Sequence, residues 1–565
     1  METFLFFVQL TGEIRTGTIC VLVLAFLAGL GDAGRVFETI KSLWQRMATA
    51  PRLEKGLAGL TAIVLLLQGW AAMAPVTGSD ALHYHFTAPL LTLQNGLHAN
   101  FFLSHGFFTG QGHLLILAGL ALGSDQLAMG LLFLGGVFAA LGAAVLAARW
   151  SSPAWAWTAA LVFLLTPVVF WQTTTAGAPD IWMALFVAAG LIMISESHRL
   201  PRISGALVTG ALAGAIAGTK YTGCAIAAAL ALAYFCEARS LLRGFLFFLG
   251  ALVAGVYPYA RNLVWTGDPV FPFLLRWISP DKVNAFGLAS LRADTGAEGH
   301  HSLWQLMKFP FFAAIDETHL GFWQFFGPIV LVFAPLLVLV VRNTPAWRAA
   351  LTIWIVSALG IGAASGMLRF MVPLLPIALA AVLSAVAQTT GKAWRATRYL
   401  SLATLTIFLL FGAGAFALYA RGALAAASGL TLRQQYLEQH APEYAAAEFV
   451  NQTLSPRAKN EKAVVFLRHL FYLRVPYLNC DPASSWAIDP ARLQTTAQWL
   501  AFFQQQSVRW VVRGASYPEP IAGPLLELER EDQLVPIAST EVSDFIGLRL
   551  SGQRVSAPVV ILELK

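Results

Sequence analysis

The feature that most narrows the folds open to this chain is a succession of apolar runs, each near the length that crosses about 30 Å of hydrocarbon. They fall at residues 17–34, 57–75, 125–148, 153–171, 181–195, 203–218, 221–235, 244–258, 323–341, 349–365, 370–388 and 400–419. A backbone surrounded by lipid must satisfy its own hydrogen bonds, so runs of this kind become helices. About twelve of them predict an α-helical polytopic membrane protein. Only 12% of the 565 residues are charged and 57% are hydrophobic, which excludes a soluble enzyme, a disordered scaffold and a nucleic-acid-binding module.

Charge gives the orientation. Residues 1–420 hold 23 Lys and Arg against 16 Asp and Glu, whereas residues 421–565 hold 14 of each. The basic excess therefore belongs to the membrane part. Segments 35–55, 149, 199–202, 239–243, 342–348 and 392–398 collect 15 of the 23 basic residues, and the positive-inside rule makes them cytoplasmic. This requires that the short apolar stretch 113–123 not cross the membrane. The N-terminus, two long loops (76–112 and 259–322) and the C-terminal part then lie outside. Three regions follow: an N-terminal span with a basic cytoplasmic segment (1–56), a transmembrane domain (57–420) and a soluble extracytoplasmic domain (421–565). The run at 17–34 is expected to be retained, because its basic flank lies on the C-terminal side, unlike a cleavable signal.

Residues 421–565 read as an α/β domain. Amphipathic helices are expected at 434–454 and 490–506, and strands at 463–467, 508–512, 545–550 and 559–564. No GxGxxG, P-loop, HExxH or GxSxG pattern occurs there. The four cysteines, Cys20, Cys224, Cys236 and Cys480, are far apart and offer no disulfide framework or CxxC metal site.

Chemistry concentrates where spans meet the outer face. In Gly78-Ser-Asp-Ala-Leu-His-Tyr-His, Asp80 is the only acid of a stretch (78–96) without Lys or Arg, and a carboxylate at the mouth of a span is costly unless a function or partner holds it. Asp80, His83 and Tyr84 would share one face of an α-helix, although Asp80 would also serve as an N-cap. A second outer carboxylate, Asp180, follows Pro179 at the start of a span, where capping is again the simpler alternative. Two carboxylates suit group transfer: one takes a proton from an acceptor hydroxyl and the other orients it. Lys220, Arg261 and Arg369 are isolated cations at headgroup depth, suited to a lipid phosphate or to snorkelling. His83, His85, His98, His105 and His113 crowd into one region. Their spacing fits no standard zinc pattern, so no cofactor is called for. A divalent metal is the alternative these imidazoles leave open.

Asp80 with Tyr84 and Pro89, Pro179-Asp180, Gly218-Thr-Lys-Tyr-Thr, Arg261-Asn262 followed by Thr-Gly-Asp-Pro-Val-Phe-Pro, and Arg369-Phe-Met-Val-Pro-Leu-Leu-Pro together resemble the polytopic C-type glycosyltransferases. The similarity is greatest to the bacterial branch akin to protein O-mannosyltransferases and the lipid A aminoarabinose transferase. The resemblance implies a GT-C-like fold in a bacterial inner membrane, with the C-terminal domain in the periplasm or outside. It also implies transfer of a sugar from a polyprenyl-phosphate donor to a hydroxyl of a lipid, glycan or protein acceptor at the outer face. Asp80 and Asp180 are then the expected catalytic residues, and Lys220, Arg261 and Arg369 the donor-phosphate ligands. His83, Tyr84, His85, Gln111 and Asn262 are expected to line the substrate cavity, with no metal. Many members carry a second acid where this chain has Ala81, and a Glu near Gln111 and His113. A non-catalytic scaffold subunit of a larger membrane complex is therefore the alternative organisation.

Overall fold

A computed structural model of the protein describes residues 8–9, 13–108, 110–197, 199–294, 302, 304, 306, 329–339, 344–365, 367–388, 395–458, 461–545 and 554–565. The chain divides into two compact units that are not contiguous in sequence: residues 1–75, 109–261 and 296–430, and residues 76–108, 262–295 and 431–565.

The first unit is helical. Among the described residues, five of its helices are long and apolar enough to cross a membrane: Arg52–Ala72, Asp125–Trp150, Pro345–Ala364, Leu368–Gln388 and Arg395–Ala427. Three bent helix pairs would raise the number to eight, and Asp180–Ser195, Gly223–Ala238 and Ile329–Val338 are apolar but shorter. The structure therefore supports several spans rather than the full count of twelve. Local chemistry sets the boundaries. Ser124 accepts from the Leu127 amide at 3.0 Å to start Asp125–Trp150, and Pro153 and Pro167 open the two halves of a pair bent by 62°, as their fixed φ favours at a first turn.

Two expectations are refined. The basic segment after the first run is not loop but a helix, Ala33–Thr49, with none of its residues buried. Val36, Phe37, Ile40, Leu43 and Trp44 are exposed along it, the pattern of a helix lying in a membrane interface. The stretch 113–123 forms a nine-residue helix, His113–Ala121, spanning about 14 Å at 1.5 Å per residue. It is too short to cross, and Leu114 to Gly119 are buried.

The closest helix pairing joins Arg202–Thr219 to Leu241–Gly255. A Cβ at Gly210 or Gly214 would overlap the carbonyls of Phe247 and Ala251. Small residues at four-residue spacing let two backbones approach this closely, and dispersion then replaces the hydrophobic driving force that lipid cannot supply.

The second unit is built on a five-stranded sheet of order β2-β1-β3-β5-β4. Its strands are β1 (Lys462–Val465), β2 (Tyr477–Asn479), β3 (Val508–Arg513), β4 (Leu534–Phe545) and β5 (Arg554–Leu564). β1 pairs in parallel with β2 and β3, and β5 antiparallel with β3 and β4. Alternation divides the core. Ala463, Val465, Trp510, Val512 and Ile561 pack with Val450 and Leu454 of helix Tyr444–Leu454 on one face. Val464, Val511 and Leu562 pack with Trp499, Phe503, Leu525 and Leu528 on the other. Helix Thr496–Gln506 starts with a reciprocal capping box between Thr495 and Gln498.

The expected single helix at 434–454 is two helices, Arg433–His440 and Tyr444–Leu454, because Pro442 cannot continue the first and Glu443 adopts φ 56°. The helix foreseen at 490–506 begins only at Thr496. Most of the strand foreseen at 545–550 lies outside the described residues. β4 was not foreseen: Pro536 and a polar sequence obscure it, and both are tolerated because it is an edge strand with a register irregularity beside Pro536.

Exposure provides a test of the orientation read from charge. In a background lacking the native cysteines, Cys at Asn95 or Gln505, both exposed, should react with an impermeant thiol reagent on intact cells. Cys at the exposed Ser42 should react only after the membrane is opened. Labelling of the Ser42 position from outside would reverse the orientation.

Candidate functional site

In the first unit, five chain segments contribute to a charged cluster. Helix Arg202–Thr219 ends at Lys220, whose backbone turns extended. The close pairing with Leu241–Gly255 brings residues 254–261 alongside. Gln111 donates its backbone N–H to the Gly218 carbonyl at 3.0 Å and its Nε2 to the Ala254 carbonyl at 2.6 Å. The neighbouring Gly112 is pressed against Pro179, where a Cβ would overlap the proline ring. Asp180, the next residue, opens helix Asp180–Ser195, a position at which the helix dipole favours a carboxylate. A π-helical turn, Gln172–Ala176, precedes it and ends at Gly177 with φ 63°.

Lys220 Nζ lies 2.9 Å from Asp180 Oδ1 and 3.2 Å from Oδ2. The aspartate side chain is 2% exposed and the lysine 21%. Lys220 Nζ also sits 4.3 Å from the centroid of the Phe370 ring, with the Arg369 guanidinium 5.4 Å from the same ring. Arg261 stands 5.8 Å from the Tyr257 ring. Desolvation, then Arg261 and Lys220, push the His113 imidazole down to about 3, so it is neutral near pH 7. Lys220, bonded to Asp180, thus shares the Phe370 ring with Arg369 and acts on His113 together with Arg261, a set of guanidinium and ammonium donors of the kind that binds phosphate.

The second unit holds Asp80 and its surroundings. Asp80 precedes a π-helical turn, Ala81–His85, and makes no side-chain capping hydrogen bond. The π turn replaces the α-helical spacing that would align Asp80, His83 and Tyr84 on one face. His83, Tyr84 and His85 are only 1%, 7% and 4% exposed and pack as a cluster with His105, which stacks on Tyr84 with ring centroids 4.7 Å apart. Neither ring nitrogen of His83 has a hydrogen-bond partner among the described residues. Desolvation and the nearby His105 and Arg468 hold its pKa well below the usual histidine value. Asn262, in helix Tyr257–Thr266, is buried and donates to the Phe107 carbonyl at 2.6 Å, which ties that helix to the turn Ser104–Phe107.

Around Asp80 lie groups that sequence reading did not select. Ser79 Oγ is 2.8 Å from His469 Nε2, and His469 Nδ1 is 2.9 Å from Glu443 Oε2. Arg468 contacts Asp294 at 2.8 Å and also feels the charge of Asp80. Asp294 is 3.4 Å from His105. Burial alone would raise the Asp294 carboxyl, but hydrogen bonds and charge from His105 and Arg468 hold it far below the usual carboxylate range. The only local signal for these residues was the adjacent Arg468-His469 pair. Among the described residues no cluster of three or more His, Cys, Asp or Glu could hold a metal ion.

Breaking a buried ion pair by removing one partner costs about 3–5 kcal/mol, because it strands the other charge. Asp180→Asn and Lys220→Met should each lower the melting temperature strongly, while the double variant recovers much of the loss. Additive losses in this cycle would mean that the pair is not coupled. His113 gives a pH test. Its folded pKa lies below the unfolded value of about 6.5, so the unfolded chain binds more protons between about pH 3 and 6.5, and stability is lost as pH falls through that window. Thermal melts of His113→Gln should decline less from pH 7 to pH 5 than those of the wild type.

A family model described as the DUF1420 N-terminal domain matches residues 35–196. No curated protein matches the chain by sequence. Among solved structures, the chain is similar to ArnT from Cupriavidus metallidurans bound to undecaprenyl phosphate, at 16% identity and TM-score 0.52, covering 90% of this chain and 98% of that one. The apo state of the same protein gives 15% identity and TM-score 0.50 with the same coverage. An Archaeoglobus fulgidus oligosaccharyltransferase in complex with Zn and sulfate gives 15% identity and TM-score 0.45, covering 80% of this chain and 67% of that one. The chain has the fold of the polytopic C-type membrane glycosyltransferases.

Proposed function

We propose that this chain is an inverting glycosyltransferase of the bacterial inner membrane, using a polyprenyl-phosphate sugar as donor at the outer face. The acceptor oxygen forms a bond to the sugar C1 as the bond from C1 to the phosphate oxygen breaks. The bonding electron pair leaves with the polyprenyl phosphate, and the hydroxyl proton passes to Asp80. In this reading the chain crosses the membrane twelve times and carries its C-terminal domain outside.

The observation that carries the reading is the gathering of Lys220, bonded to Asp180, with Arg369 beside the same Phe370 ring and Arg261 acting with Lys220 on His113, in the unit that contains the apolar helices. Such a cluster suits a phosphate whose negative charge grows as the sugar departs, and preorganised cations stabilise that charge without reorganising at the moment of reaction. Asp180, already bonded to Lys220, serves to hold that ammonium in place rather than to accept a proton. ArnT in complex with undecaprenyl phosphate supports the choice of donor, and its fold supports the reaction class.

A general base contributes about 10²–10⁴-fold to rate. Asp80→Asn should therefore lower transfer from a labelled polyprenyl-phosphate sugar at least a hundredfold, with the melting temperature within a few degrees of wild type. Near wild-type transfer by that variant would overturn the role of Asp80.

A further inference from the structure

A cavity of about 600 Å³ lies wholly within the second unit, where the first outer loop meets the sheet. Six successive residues, 474–479, line it, so it runs along β2, an edge strand of the sheet. A second cavity of about 310 Å³ adjoins it and shares Gln94 and Arg474. Both volumes are of ligand-binding size, and together they form an elongated groove with Arg474 at its middle.

The lining has one sign of charge. Lys462 and Arg474 border the larger cavity and Arg433 the smaller, and neither contains an Asp or Glu. Lys462 makes no ion pair among the described residues. Arg474 Nη2 reaches Glu448, outside both linings, only at 3.4 Å, with its own side chain 66% exposed. The remaining polar lining of the larger cavity is rich in amides: Gln94, Asn95, Asn100, Asn479 and Gln506. Asn479 is 1% exposed, and its Nδ2 has no hydrogen-bond partner among the described residues. Phe101, Phe102 and Tyr477 add flat apolar surface.

We propose that this groove binds an acidic oligosaccharide. Side-chain amides present a donor and an acceptor together, which matches neighbouring sugar hydroxyls. The aromatic rings offer faces for sugar C–H groups, and Lys462, with no ion pair among the described residues, in a lining without Asp or Glu favours a ligand bearing carboxylate or phosphate. No residue is shared with the Lys220 cluster. Treating this saccharide as the acceptor rests on the proposed glycosyl transfer, whereas its binding does not.

The test is calorimetric titration of the full chain in detergent, without donor, using trigalacturonate and glucose 6-phosphate as carboxylate and phosphate probes, with maltotriose and triglutamate as controls. At least one acidic sugar should bind tenfold or more tightly than both controls, and the tighter of the two names the preferred anion. The Lys462→Gln/Arg474→Gln variant should lose at least tenfold in affinity for it at an unchanged melting temperature, and Arg276→Gln, at an exposed cation outside both linings, should retain it. Binding of maltotriose or triglutamate as tight as that of the acidic sugars would overturn the proposal. So would an unaffected double variant, or an equal loss of binding in Arg276→Gln. None of these readouts involves turnover, so failure of sugar transfer and failure of this site are separable.

Discussion

A carboxylate with almost no solvent exposure must find a cation or forgo its charge, and the pairing of Asp180 with Lys220 is the constraint on which the first unit's charged cluster depends. Meeting at 2.9 Å requires that two chain segments 40 residues apart be placed to within a fraction of an ångström. The glycine-mediated contact between Arg202–Thr219 and Leu241–Gly255 fixes where Lys220 leaves its helix. The π turn before Gly177 fixes where Asp180 begins the next one. Gln111 ties the residues before the short buried helix to both carbonyl ends. Arg369 then shares the Phe370 ring with Lys220, and Arg261 acts with Lys220 on His113, so the pair is the point at which these groups meet.

Much of this architecture is legible in the sequence, because membrane helices and half-buried strands announce themselves by local pattern. Each apolar run covered by the described residues coincides with a helix or a bent helix pair, and β1, β3 and β5 fall close to where β-branched residues cluster. Elements fail to be legible where tertiary context overrides local preference. β2 has only three residues, β4 hides behind Pro536, and the helix expected to run from 434 to 454 breaks where Glu443 takes a left-handed backbone. Glu443 is a residue type that seldom adopts such a conformation without a stabilising context, and here its carboxylate receives both the backbone N–H and the ring of His469.

The candidate site divides the same way. Asp80, Asp180, Lys220, Arg261 and Arg369 stand out because an ionisable group beside an apolar run is conspicuous. Their partnerships do not, since composition carries no information about which of two distant charges will meet. Asp294 and Arg468 are separated by 174 residues and Ser79 and His469 by 390. Nothing in the spacing of either pair foretells a contact. Of the histidines clustered between residues 83 and 113, which suggest a metal or a proton path, His83, His85 and His105 pack with Tyr84 as aromatic surface, whereas His113 lies near Lys220 and Arg261 in the first unit, and burial holds the His83 pKa well below the usual value.

The second unit is assembled from three stretches of chain, the last of which begins only at residue 431. During synthesis the segment carrying Asp80 emerges hundreds of residues before β1 and β3, against whose core Tyr84 and Leu103 pack. Until then Leu82, whose carbonyl later receives the amides of Leu470 and Phe471, has no partner strand or loop to hold it. The aspartate therefore cannot reach its final setting on a nascent or truncated polypeptide, however well the helices before it have inserted. Completion of the C-terminal domain is thus the step that brings Asp80 into its folded surroundings, and a chain ending between helix Arg395–Ala427 and β1 would lack the residues on which that setting is built.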